Sequence, residues 1–188
     1  IRFLLQTIDT DPDYIIIYHA YNDIESYLTP GFYSDYSHSR RSLGEVYWKF
    51  IAGTKIPDIP LKFINCIKNK WFPGFNVRYS LLRMVSKGMI DPTMDFSKGL
   101  KTYQRNLQNI INVCLMEEIS VILCTYCHYL HEGIKDDPLD LLYNKILLQE
   151  NEIVKKLAIK NNLKLVDCYS LIPKEDSNFV DSIHFTPK

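Results

Sequence analysis

Two short stretches of this 188-residue chain carry side chains suited to acyl-transfer chemistry. Near the C-terminus, Asp181 and His184 form a D-x-x-H pair. A carboxylate that accepts from imidazole Nδ1–H fixes the tautomer and leaves Nε2 to take a proton from a hydroxyl nucleophile. Three-residue spacing on a tight loop lets the two side chains meet, and it equally suits a capping Asp beside a surface His. The second stretch is Tyr18-His19-Ala20-Tyr21-Asn22-Asp23, directly after an apolar run. From a strand end, Asn22 can aim its amide N–H at a developing oxyanion, a contact worth about 3–4 kcal/mol of barrier. Asn22-Asp23 is also a common turn or helix-capping pair. His19 either lines the same cleft or is structural.

Other candidates are weaker. Cys124-Thr125-Tyr126-Cys127-His128 matches the C-x-x-C-H pattern of haem attachment. Cys124, Cys127, His128 and His131 together have zinc-ligand types. Both readings conflict with a strand that sends residues i and i+3 to opposite faces. Core thiols and a rim histidine fit better, so no metal and no cofactor is expected. Asp167 is expected to turn the chain, and Asp140 to punctuate a helix. The five cysteines show no disulfide framework, which points to a reducing compartment without fixing the localisation.

The elements that must position Asn22, Asp181 and His184 follow from periodicity. Residues 1–8 (IRFLLQTI) read as the tail of an amphipathic helix, ended by the turn-rich stretch 9–13. Tyr14–Tyr18, Ile119–Tyr126 and Leu163–Val166 are short apolar runs, as in parallel strands buried on both faces. Leu100, Tyr103, Leu107, Ile110, Ile111 and Cys114 fall at helical spacing before the second run. Leu142, Ile146, Ile153, Val154, Leu157 and Ala158 do so before the third. Strand, helix, strand, helix, strand predicts right-handed βαβ crossovers and an open α/β sheet with flanking helices. Ligand chemistry in such sheets gathers at the carboxyl ends of the strands, here the loops starting near His19, Cys127 and Asp167.

Residues 24–98 interrupt that pattern and are expected to form a long, mostly helical insertion into a single domain. Between Val46 and Lys87 lie eight basic residues and one acidic residue, Asp58, interleaved with Phe, Trp and Tyr residues such as Trp48, Phe63 and Trp71. This suits either a helical subdomain with a basic rim or a surface for an anionic or interfacial ligand. The 22 basic and 22 acidic residues cancel, so the +7 of this stretch is balanced by −7 elsewhere. Overall neutrality argues against a global nucleic-acid binder. With seven glycines and no Gly-rich phosphate loop, a flavodoxin-like nucleotide or flavin binder is disfavoured.

On these stretches the chain resembles the SGNH (GDSL-type) hydrolase superfamily. PDYIIIYHAYND (12–23) is similar to the family's buried strand ending in G-x-N-D, and aligns Asn22 with its oxyanion-hole Asn. TYQRNLQNIINVCLMEEISVILCT (102–125) resembles its helix-then-strand. YNKILLQENEIVKKLAIKNNLKLVDCYSLI (143–172) with FVDSIHFTPK (179–188) resembles its last helix, closing strand and final motif, placing Asp181 and His184 on the catalytic Asp and His. Residues 24–98 lie outside the resemblance. It implies a three-layer flavodoxin-like sheet of five strands and a serine-dependent ester hydrolase acting on a small-molecule, glycan or lipid ester. Two departures stand out. Ala20 replaces the Gly of G-x-N-D, and the G-D-S nucleophile block and oxyanion Gly are absent. The expectation is a fragment that lacks the first two strands, inert by itself, from a hydrolytic parent. A non-catalytic relative that binds a glycan or partner is the alternative.

Overall fold

Three parallel strands form the sheet in this computed structural model, which describes residues 8–28, 32–35, 95–132 and 137–187. The elements are β1 (Tyr14–Ile17), a 3-10 turn (Tyr21–Asp23), α1 (Ile24–Tyr27), α2 (Ser97–Met116), β2 (Ser120–Cys124), α3 (Pro138–Lys160), β3 (Lys164–Val166) and α4 (Cys168–Leu171). The chain divides into two compact units, residues 1–27 with 95–188 and residues 28–94. Residues 24–27 therefore go with the sheet. Apart from Leu28 and residues 32–35, the second unit lies outside the described residues, as does the expected helix over 1–8 up to Ile8.

The sheet order is β1-β2-β3, all parallel, with Ile16 opposite Ile122 and Ile122 opposite Lys164. Right-handed crossovers between strands in this order put both long helices on one face, and α2 and α3 touch each other as well as β2. Burial follows. Val121 and Leu123 of β2 are buried under the helices, whereas Ser120, on the opposite face, is exposed and Ile122 half-buried.

Two expectations are corrected here. β1 is not buried on both faces: Tyr14 is 55% and Ile16 66% exposed. β3 is exposed throughout. A continuous apolar run reports that a strand can be covered, not that it is. Among the described residues helices cover one face, and β1 and β3 are edge strands. Among the described residues the arrangement is a three-strand parallel sheet with flanking helices, which is an α/β architecture.

Each long helix ends in the same way. Glu118 (φ 58°) and Asn162 (φ 51°) adopt the left-handed conformation just past α2 and α3. Ile119 N then donates to Cys114 O and Leu163 N to Ala158 O, both at 2.9 Å. These paired Schellman turns satisfy the last carbonyls and lead directly into β2 and β3. At its start, α3 has Pro138 in the first turn and Asp137 as cap, accepting from Leu139 N at 2.9 Å. Asp140 sits in that first turn. No helix among the described residues is long and apolar enough to cross a membrane.

Candidate active site

Because the strands are parallel, the loops after β1, β2 and β3 all leave from one edge of the sheet. The loop after β1 holds Asn22 in the 3-10 turn. Its side chain is exposed and makes no hydrogen bond among the described residues, so it does not cap the helix that follows. Ala20, at the position of the Gly in G-x-N-D, is buried with extended φ of −166°, which any residue adopts. Tyr103 of α2 anchors this loop, its hydroxyl donating to His19 O at 2.7 Å. The His19 side chain is half-exposed, with Nδ1 3.9 Å from Asp23 Oδ2.

Asp181 and His184 meet as the D-x-x-H spacing allows. His184 Nδ1 lies 2.8 Å from Asp181 Oδ2 and 3.0 Å from Oδ1. Asp181 Oδ1 also accepts the backbone N–H groups of Ile183 and His184, each at 2.9 Å. Burial pushes the Asp181 carboxyl up, but the His184 ring and these two backbone donors outweigh it and hold the group below its ordinary value. The ring's Nδ1–H is committed to the carboxylate. The His184 side chain is 71% exposed, so Nε2 is open to a reactant.

A miniature hairpin fixes this loop. Phe179 and Phe185 form an antiparallel bridge, Val180 N donates to His184 O at 2.8 Å, and Thr186 N donates to Asn178 O at 3.0 Å. Phe179 is the buried anchor, packed on Phe185 and on Tyr129 at ring distances of 5.1 and 5.5 Å. Tyr129 N donates to Ser182 O at 2.9 Å, joining the loop after β2 to the segment between Asp181 and His184. Tyr126 lies close enough to Asp181 that, after burial, its charge helps push the Tyr126 hydroxyl up. The Tyr126 ring stacks on Tyr18 at 4.8 Å, and the Tyr18 hydroxyl accepts from Cys127 N at 3.1 Å. The ends of β1 and β2 and the Asp181–His184 loop are therefore physically linked.

The cysteine-histidine stretch folds differently from a metal site. Cys124 and Cys127 are buried thiols, which burial pushes up from their ordinary values. His128 is buried too, where a rim position was expected. It stacks on Tyr169, and its Nε2 contacts Asn144 Oδ1. Burial holds it below the ordinary histidine value. His131 turns to Asp176, with Nδ1 to Oδ1 at 2.9 Å. No three His, Cys, Asp or Glu side chains among the described residues are grouped to hold a metal ion.

Asp167 turns the chain after β3 and does more. It caps α4 and accepts from Thr125 Oγ1 (2.7 Å), Ser170 Oγ (2.8 Å) and Lys155 Nζ (3.3 Å). Burial would raise its pKa, but these donors bring it to about 2. Two polar residues that periodicity missed, Glu150 and Asn151, lie in the buried stripe of α3. Their signal was a polar pair at positions where the helical spacing demands apolar side chains.

Compared with known proteins, this chain matches no family model, no curated protein and no solved structure.

Proposed function

We propose that the protein is an ester hydrolase of the SGNH type, with His184 as base and then acid, Asp181 as its orienting carboxylate and Asn22 as an oxyanion donor. The observation that carries the reading is the Asp181–His184 pair itself. Its Nδ1 is held by carboxylate oxygens at 2.8 and 3.0 Å, and the His184 side chain is 71% exposed. In this reading His184 Nε2 takes the proton of a serine hydroxyl as its oxygen attacks the ester carbonyl. The imidazolium, stabilised by Asp181, then gives that proton to the leaving alcohol. The Asn22 amide N–H donates to the carbonyl oxygen as it gains charge. Water repeats the cycle to release the acid.

Among the described residues no serine hydroxyl bonds to His184, and Ser26 is buried in α1. The resemblance places the nucleophile in a block N-terminal to the β1 motif. The same reading takes the fold as a flavodoxin-like three-layer sheet, with further elements covering the exposed face of Tyr14 and Ile16. The basic and aromatic composition of 46–87 suggests a glycan, lipid or anionic acyl ester as the substrate class. The alternative reading is a non-catalytic relative that binds a glycan or partner. A fluorophosphonate probe applied to the protein from its complete reading frame separates them. Covalent labelling of one serine, lost in His184→Ala, supports the hydrolase. Absence of labelling supports the binder.

A further inference from the structure

The eight buried residues of α3 form a stripe from Tyr143 to Ala158, and the two at its centre, Glu150 and Asn151, are the polar exceptions. Glu150 is 0% and Asn151 3% exposed. Burying such groups costs free energy that apolar side chains would not, so what they bind matters.

Asn151 binds main chain. Its Oδ1 accepts from Tyr126 N at 2.7 Å, and its Nδ2 donates to Tyr126 O at 3.0 Å. Tyr126 lies two residues beyond the end of β2, where the strand ladder no longer serves its N–H and C=O. One amide side chain takes the place of a neighbouring strand. Three residues on, Tyr129 N holds Ser182 between Asp181 and His184. Glu150 reaches the other way. Its Oε1 accepts the Tyr27 hydroxyl at 2.8 Å, while Oε2 is buried without a partner. Tyr27 closes α1, which continues directly from the turn that carries Asn22. Its ring lies so close on α2 that a Cβ at Gly99 would come 2.3 Å from Tyr27 Cγ.

We propose that Glu150 and Asn151 form a positioning pair, a buried polar brace on one turn of α3 that sets the Asn22 loop and the Asp181–His184 loop relative to each other. Neither touches a reactant. Each acts through a tyrosine, Glu150 through Tyr27 and Asn151 through Tyr126. The functional meaning of the brace rests on the hydrolase reading, but its geometry does not.

NMR on the intact protein tests it, reading the Asn22 side-chain amide and the His184 ring nitrogens. Asn151→Ala is expected to move the His184 ring signals and to raise amide exchange at 126–129 by roughly tenfold, leaving Asn22 in place. Glu150→Ala is expected to do the reverse, and Glu150→Gln, which keeps an acceptor for Tyr27, to restore the Asn22 signal. If Asn151→Ala does not fold, Asn151→Asp keeps the acceptor for Tyr126 N but sets a second oxygen against Tyr126 O, and it too should move the His184 signals while leaving Asn22 in place. Unmoved His184 and Asn22 signals in folded variants would overturn the proposal, as would equal movement of both in every variant. Because none of these signals requires turnover, an absent pattern beside His184-dependent hydrolysis rejects the brace alone. The pattern with His184-independent hydrolysis rejects the hydrolase alone.

Discussion

Glu150→Gln should make the protein more stable at alkaline pH and nearly unchanged in acid. The Glu150 carboxyl is fully buried, accepts one hydrogen bond from Tyr27 of α1, and is repelled by the Asp23 charge of the 3-10 turn. No cation pairs with it among the described residues. Burial first, and Asp23 after it, push it from an ordinary 4.5 up to about 8, against the lowering effect of the Tyr27 bond. The folded chain then holds a proton between these values that the unfolded chain has released. Stability is therefore full below about 4.5 and falls as pH rises through that window. The slope is about 1.4 kcal/mol per pH unit, up to about 5 kcal/mol in all. Local opening to water reduces this, so roughly 2 kcal/mol or more is the realistic loss between pH 5 and 8. Glutamine keeps the acceptor and removes the titration, and other groups cancel when variant and parent are compared at each pH. Urea denaturation at pH 5, 6.5 and 8 reads the difference. A stability gap that does not widen in favour of Gln with rising pH would refute a neutral, buried Glu150.

Gly99→Ala, ordinarily favourable in a helix, should destabilise by about 1–3 kcal/mol, because the new methyl meets the Tyr27 ring at 2.3–2.4 Å; thermal denaturation checks it. Asp167→Ala should cost about 1–3 kcal/mol at neutral pH by stranding the buried Thr125 hydroxyl. Since the folded carboxyl titrates at about 2, below its ordinary 3.8, that cost should shrink as pH falls through this range, measured by denaturation in acid. Glu118→Gly should stabilise by roughly 0.5–1 kcal/mol, because Glu118 holds φ at 58° where glycine has no Cβ penalty; the urea midpoint reports it.

Much of the fold was legible because helical and strand periods are local properties. Ile119–Tyr126 contains β2, Leu163–Val166 contains β3, and the stripe from Tyr103 to Cys114 is the buried face of α2. Coverage was not legible, because the apolar run of β1 says nothing about whether a second layer lies over Tyr14 and Ile16. The Asp181–His184 contact could be anticipated from spacing; the bridge between Phe179 and Phe185 that holds it could not, since one pair of residues leaves no periodic trace. Glu150 and Asn151 were hidden for the opposite reason. A search for apolar repeats passes over polar residues, although their phase on α3 places them at its core. His128 reads as a rim residue from its type, yet it is packed between Tyr169 and Asn144.

The most direct test of the central claim is the hydrolysis of a short acyl ester by the protein from its complete reading frame, with parent, His184→Ala and Asn22→Ala compared at matched folding. The hydrolase reading predicts turnover in the parent, its loss in His184→Ala, and a kcat lowered roughly 100- to 1,000-fold in Asn22→Ala. Turnover that survives His184→Ala undiminished would contradict it.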